Sequence, residues 1–92
     1  PEASRPHFAL GRLLAQQGRT AQAIAELRRA AGANAGDAAV HATLGRVLLD
    51  TGRYHEAARA FERALRINPD IPELERLLKR ARGRAETGEG EA

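Results

Sequence analysis

The sequence predicts an all-α fold of about five helices, in which antiparallel helix pairs repeat along the chain. Three observations predict it: the composition, a repeat of fixed length and the helical spacing of the apolar residues. Alanine, arginine, leucine and glutamate dominate the 92 residues, and these residue types favour helices. Aromatic residues make up only 3% of the chain, which leaves little material for the core of a β-sheet.

The repeat emerges when the chain is aligned with itself at an offset of 34 residues, the interval from His7 to His41. Identical residues then coincide along both units. The matching pairs include Leu10 with Leu44, Gly11 with Gly45, Arg12 with Arg46, Leu14 with Leu48, Gly18 with Gly52, Ala23 with Ala57, Ala30 with Ala64, and Asn34 with Asn68. A period of this length is typical of proteins that stack one helical unit on the next.

The first unit is predicted to contain two helices joined by a tight turn. Leucines at helical spacing place the first helix at about residues 4–17, and Gly18 suits the left-handed position that ends a helix. Thr20 is the expected N-cap of the second helix, which is predicted to end near Ala33.

The second unit follows the same plan. Asp37 is the expected N-cap of its first helix, which runs to Thr51 and ends at the Gly52 turn. The next helix is predicted to end near Ile67, because Pro69 cannot continue a helix.

The helical pattern continues beyond the second unit as a single capping helix, predicted at residues 72–84. Proline is favoured in the first turn of a helix, so Pro72 suits its start. The apolar stripe of this helix consists of Leu74, Leu77, Leu78 and Ala81. The positions that receive a second helix in the two units are here charged, at Glu75, Lys79 and Arg82. Such a polar face ends a repeat array, and residues 85–92, rich in glycine and glutamate, are expected to be disordered.

Gly11 and Gly45 lie in the middle of predicted helices, where glycine costs about 1 kcal/mol relative to alanine. Because this cost recurs at the repeat interval, we expect a structural reason for it. A glycine lets two helices approach each other closely. The small residues Ala23 and Ala57 are the expected neighbours at the two crossings.

The second unit carries the pattern H-x-x-L-G-x-x-L…A-x-x-x-F…A…P, at His41, Leu44, Gly45, Leu48, Ala57, Phe61, Ala64 and Pro69. With its period of 34 residues, this pattern resembles the tetratricopeptide repeat. The resemblance covers residues 4–37 as a first repeat and residues 38–71 as a second. It implies a right-handed superhelical array of helix pairs that serves as a non-catalytic protein–protein interaction module. The signature residues are Leu10, Gly11, Ala23, Ala30, Leu44, Gly45, Ala57, Phe61, Ala64 and Pro69.

The resemblance also implies a concave groove, lined by the first helix of each repeat and by the capping helix, in which a peptide lies. The groove positions of the family fall here on Arg5, Phe8, Arg12, Ala39, Ala42, Arg46, Leu49, Asp50, Arg76 and Arg80. Among them, Phe8 and Leu49 are expected to offer apolar contacts to an anchoring side chain of the ligand.

Three of these arginines recur at the repeat interval. Arg12, Arg46 and Arg80 are 34 residues apart, so each helix of the groove contributes one arginine at the same height. We interpret them as an arginine ladder for carboxylates or phosphates, which predicts an acidic or C-terminal peptide as the ligand. The alternative interpretation is a solvated surface, because arginine is common in this chain.

Two other classes of function remain open. The first is self-association, because Leu13 aligns with Val47 and would present an apolar face on the first helix. The second is nucleic-acid binding: the net charge of +3 fits it, but few aromatic residues are available for base stacking and no nucleic-acid motif is visible. The chain begins at Pro1 without a methionine, so we expect a piece of a longer protein with further repeats upstream.

The composition argues against enzymatic and membrane functions. The chain has no cysteine, which excludes disulfides and thiolate metal sites. His7 and His41 lie one repeat apart, too far to share a metal ion. No serine or threonine has the histidine and acidic partners of a catalytic nucleophile, so neither catalysis nor a cofactor is expected. No apolar run is long enough to span a bilayer.

Overall fold

Five helices connected by short turns make up residues 4–88, the part of the chain that the computed structural model describes. They are α1 (Ser4–Gln16), α2 (Thr20–Ala33), α3 (Ala38–Asp50), α4 (Tyr54–Ile67) and α5 (Leu74–Thr87). No β-strand occurs between residues 4 and 88. The prediction of an all-α fold with about five helices is therefore confirmed.

The glycine turns within the two units have the same backbone geometry. Gly18 and Gly52 adopt the left-handed conformation, with φ of 77° and 79°. Glycine adopts it without strain because it has no Cβ. The residue after each glycine donates a backbone hydrogen bond back into the preceding helix. These two bonds, each 2.9 Å long, join Arg19 to Leu14 and Arg53 to Leu48. This is the Schellman arrangement, which satisfies carbonyl groups at the end of a helix.

The starts of α2 and α3 differ in how they are capped. The Asp37 carboxylate accepts a hydrogen bond of 3.1 Å from the Ala39 backbone N–H, which confirms Asp37 as the N-cap of α3. Thr20, by contrast, is already the first residue of α2, and the N-cap is Arg19, whose side chain makes no capping hydrogen bond. The prediction for Thr20 is wrong because the Schellman turn leaves only Arg19 between Gly18 and the new helix.

The capping helix α5 begins two residues later than predicted. Pro72 lies in the turn before it, and Glu73 has a left-handed backbone with φ of 70°. Because a left-handed residue cannot belong to a right-handed helix, α5 begins at Leu74. The Leu74 side chain is fully buried, so packing against the core rather than the proline fixes this boundary.

The same helix also ends later than predicted. It continues to Thr87 and is closed by Gly88 in the left-handed conformation, with φ of 74°. Ala85 packs against the hydrophobic core, which extends the helix beyond residue 84. The prediction of disorder is therefore wrong for residues 85–87, and residues 89–92 lie outside the described residues.

Helix α3 is the centre of the fold, because it contacts each of the other four helices. Helices α1 and α2 also contact each other, as do α4 with α5. The largest fully buried side chains are Phe61, Leu27, Leu48, Leu74 and Val40. Each helix thus packs mainly on helices close to it in sequence, as expected for a repeat array.

The two mid-helix glycines make room for large side chains on the second helix of each unit. A Cβ built on Gly45 would lie 2.6 Å from the Phe61 ring, and one built on Gly11 would lie 2.7 Å from Leu27 Cγ. The expected close approach is present, and the Ala23 carbonyl oxygen would lie 3.4 Å from a Cβ at Gly11, as predicted for that crossing, whereas the three nearest atoms at Gly45 all belong to Phe61. Ala23 and Ala57 are fully buried, yet the side chains that fill the space above the glycines belong to Leu27 and Phe61.

A hydrogen bond between α1 and α2 makes stability depend on pH. His7 Nδ1 lies 2.7 Å from Glu26 Oε1, and Arg29 also pairs with this carboxylate. The hydrogen bond to His7, supported by Arg29, holds the pKa of Glu26 below its ordinary value of 4.5. Because the folded-state pKa is lowered, the stabilisation is present above the unfolded pKa and is lost as the pH falls through the folded one.

Replacing Glu26 with glutamine is therefore expected to lower the melting temperature at pH 7 and to flatten the loss of stability between about pH 5 and pH 3. Thermal unfolding followed by circular dichroism across this range tests the prediction. The control is Glu75→Gln, because Glu75 is exposed and makes no ion pair with any residue between 4 and 88. Equal pH profiles for the two variants would show that the Glu26 pair does not contribute.

Candidate peptide-binding groove

The first helices of successive units form one layer of the structure. Helix α1 contacts α3, and α3 contacts α5, so these three helices follow one another across the molecule. We call the surface that these helices are predicted to share, and on which Arg12, Arg46 and Arg80 are expected, the groove. It is the surface on which the sequence places the peptide-binding residues.

The three ladder arginines are exposed on this surface. Within residues 4–88, no carboxylate lies at ion-pair distance from Arg12, Arg46 or Arg80. Two arginines outside the groove behave differently, since Arg28 pairs with Glu56 and Arg82 pairs with a glutamate of α4. The guanidinium groups of Arg12, Arg46 and Arg80 thus have no ion-pair partner among the described residues.

Arg12 has an aromatic neighbour on its own helix. Its guanidinium carbon lies 5.6 Å from the centroid of the half-buried Phe8 ring. This distance is within the range of cation–π contacts, which favour a guanidinium placed over a ring. Phe8 therefore holds the Arg12 side chain and leaves the outer side of the guanidinium open.

A small cavity lies in the middle of the groove. Its volume is about 250 Å³, and its lining consists of Ala38, Ala39, Ala42, Thr43, Arg46, Asn68 and Ile71. The cavity brings together three residues that the sequence predicted, Ala39, Ala42 and Arg46. Sequence reasoning missed Asn68 and Ile71, which belong to the turn before α5. Both residues lie outside the helices, so helical spacing in the sequence does not indicate which surface they face.

The other predicted groove residues differ in how much of their surface is exposed. Ala42 and Leu49 are buried, with 4% and 9% of their surface exposed, and both belong to the hydrophobic core. Leu49 therefore offers little surface to a ligand. Arg76 is exposed and pairs with Glu73 at 3.5 Å.

The remaining two predicted residues, Arg5 and Asp50, are exposed but do not line the cavity. They sit at opposite ends of their helices, near the start of α1 and at the last residue of α3. Their charges flank the groove without contributing to its central cavity.

The described part of the chain contains no group of three or more histidine, cysteine, aspartate or glutamate residues close enough to hold a metal ion. Among its helices, none is both long and apolar enough to cross a membrane. The features that the structure offers for recognition are therefore exposed arginines on α1, α3 and α5 and a small cavity lined by one of them, Arg46.

Comparison with known proteins agrees with the helical-repeat architecture. The family model of the tetratricopeptide repeat matches residues 14–82, which is well over half of the chain. A search among curated proteins found no match. The matched region contains the second helix of the first unit, the whole second unit and most of α5. The chain therefore belongs to the tetratricopeptide repeat family, a family of protein–protein interaction modules.

Proposed function

We propose that this domain binds an acidic peptide segment of a partner protein in the groove, without catalysis. The observation that carries the proposal is the set of exposed arginines at Arg12, Arg46 and Arg80, one on each of α1, α3 and α5. None of them is paired with a carboxylate among the described residues. A guanidinium binds a carboxylate through two parallel hydrogen bonds, which adds specificity to charge attraction.

The spacing of the helices indicates how the acidic residues of the peptide are arranged. Packed helices lie about 8–10 Å apart. A peptide in the polyproline II conformation rises about 3.1 Å per residue and repeats every third residue, which gives about 9 Å between equivalent side chains. A peptide that crosses the three helices would therefore meet the ladder with carboxylates at positions i, i+3 and i+6.

The peptide acetyl-EPPEPPE-amide tests this arrangement, and acetyl-EEEPPPP-amide is its control with the same composition. Amide shift mapping of the ¹⁵N-labelled domain is expected to place the first peptide on α1, α3 and α5. Its affinity should exceed that of the control, because only the first peptide matches the helix spacing. Equal affinities would show that the domain responds to charge alone.

The double substitution Arg12→Ala/Arg46→Ala is expected to weaken binding of acetyl-EPPEPPE-amide by about tenfold or more, since hydrogen bonds to charged groups contribute about 1.5–3 kcal/mol each. The matched control is Arg19→Ala/Arg53→Ala. It removes the same charge at the same repeat interval from the exposed turn residues. Titration calorimetry compares the two variants, and an equal loss in both would contradict the ladder.

Self-association is the second candidate function, and the exposure of the α1 leucines favours it. Leu10 and Leu13 are 43% and 49% exposed, whereas their counterparts Leu44 and Val47 are only 8% and 7% exposed. A cavity of about 400 Å³ lies on this face, between α1 and α2. We call this apolar face of α1 the N-terminal face.

The other end of the array is unsuited to stacking with this face. The charged residues of α5 are exposed there, at Glu75, Lys79 and Arg82. Two copies would therefore pair through the same face, related by a two-fold axis. Leu13→Asp is expected to convert such a dimer into a monomer in sedimentation velocity, while Ile67→Asp, at another exposed apolar residue, leaves it intact. A wild-type domain that stays monomeric at millimolar concentration would exclude this candidate.

A further inference from the structure

A second recessed surface lies between α2 and α4, the second helices of the two units. The backbones of these helices do not pack closely on each other within the described residues, although the Arg28–Glu56 ion pair joins them, and α3 forms the floor between them. The space is a cavity of about 390 Å³, which is within the usual range of binding sites for side chains and small ligands. We call it the cleft.

Small residues on one wall and apolar residues on the floor shape the cleft. Ala31, Gly32 and Ala35 leave room at the end of α2, while Leu44 and Leu48 contribute the apolar floor. A Cβ built on Gly32 would meet no atom within 4 Å, so this wall is open. The cleft can therefore accept a bulky apolar group.

Arginines form the rim of the cleft. Arg59 and Arg63 lie four residues apart on α4 and are exposed. Neither has a carboxylate at ion-pair distance among residues 4–88, whereas Arg28, on the opposite wall, pairs with Glu56. Beyond Arg63 a further cavity of about 310 Å³ is lined by Arg66, which also lacks such a partner. The rim is thus strongly cationic.

His41 lies where the two cavities meet. Its side chain is buried, and its Nε2–H donates to the Ala35 carbonyl oxygen at 3.0 Å. Its Nδ1 is buried without a hydrogen-bond partner among the described residues. Buried polar atoms without partners are rare in native proteins, so His41 adds an unsatisfied polar atom next to the apolar floor.

We propose that the cleft binds an aromatic side chain flanked by carboxylates on a partner protein. The ring would occupy the space beside Ala31 and Gly32, above the apolar floor, and the carboxylates would pair with Arg59 and Arg63. An arginine rim suits an aromatic group as well as its acidic neighbours, because guanidinium groups stack on aromatic faces. This site is distinct from the groove, whose arginines lie on α1, α3 and α5. The domain would therefore present two recognition surfaces.

The peptide acetyl-GEEWEEG-amide is the probe for this site. The protein contains no tryptophan, so the emission of the peptide reports on its own environment. We expect a blue shift on binding, because the indole moves from water into the cleft. Amide shifts should change at Ala31, Gly32 and Ala60, which line the cleft. The peptide acetyl-GEEAEEG-amide, which lacks the aromatic ring, should bind at least about tenfold more weakly.

Two variants test the location of the site by independent means. Arg59→Ala/Arg63→Ala is expected to weaken binding by about tenfold or more, since it removes charge-assisted hydrogen bonds. Gly32→Leu is expected to block binding by filling the open wall, and it preserves the helix because leucine is the better helix former. The control Arg19→Ala/Arg53→Ala removes the same charge outside the cleft and should bind the probe as the wild type does.

Several outcomes would overturn the proposal. The absence of a blue shift would mean that the ring is not buried. Equal binding of the probe and its alanine version would show that the cleft recognises the carboxylates and not the aromatic ring. Shift changes confined to α1, α3 and α5 would assign the probe to the groove. Unaltered binding by Arg59→Ala/Arg63→Ala or by Gly32→Leu would place the site elsewhere.

Discussion

Replacing Phe61 with alanine is expected to abolish cooperative folding of the domain at room temperature. Phe61 is fully buried, and its ring packs against Gly45 at the crossing of α3 and α4. Removing a buried phenylalanine ring costs about 3–5 kcal/mol, because the transfer energy is lost and a cavity remains. This loss is comparable to the whole stability of a domain of this size.

Urea unfolding followed by circular dichroism at 222 nm measures this effect. The control is Ile67→Ala on the same helix, because Ile67 is 42% exposed and its truncation removes little buried surface. We expect the free energy of unfolding of the control to decrease by less than about 1 kcal/mol. If Phe61→Ala unfolds cooperatively and its free energy of unfolding is within about 1 kcal/mol of the wild-type value, the central position of Phe61 in the core is contradicted.

The second large effect is expected from Gly45→Ala. An added Cβ would lie 2.6 Å from two carbons of the Phe61 ring, a separation that the fully buried ring cannot relieve without moving. Overpacking of this kind costs about 1–3 kcal/mol, which outweighs the gain in helix propensity. The variant should therefore be less stable, although alanine is the better helix former.

Gly83→Ala is the matched control, because it makes the same substitution inside α5. A Cβ at Gly83 would meet no atom within 4 Å, and the backbone is helical. Only the difference in helix propensity then affects stability, so the free energy of unfolding of this variant should increase by up to about 1 kcal/mol. The two substitutions are thus expected to have opposite signs in urea unfolding. A stabilised Gly45→Ala variant would show that α3 and α4 are not in close contact at this point.

The comparison of sequence and structure shows which features local chemistry determines. The turns at Gly18 and Gly52 are predictable because the left-handed backbone position at the end of a helix is usually occupied by glycine. The start of α5 is not, because it depends on the burial of Leu74 in the hydrophobic core. The glycine at position 45 signals a close approach, but only the packed structure identifies Phe61 as the neighbour.

The candidate sites differ in the same way. The ladder formed by Arg12, Arg46 and Arg80 is visible in the sequence because it follows the repeat period. The cavity beside Arg46 also needs Ile71, whose position depends on how the turn before α5 folds. The sequence does not reveal the cleft, because it results from two helices whose backbones do not pack closely and from alanines that have the pattern of ordinary helix formers.

The helices are buried to different extents, so they also differ in the free energy needed to open each one locally. Helix α1 packs on the rest of the domain through the half-buried Phe8 and Leu14, whereas α3 is buried along most of its length. Local opening requires less free energy where fewer apolar contacts are lost. The amide protons of α1 will therefore exchange with solvent sooner than those of α3. Local opening of α1 would displace Arg12 and leave Arg46 in place.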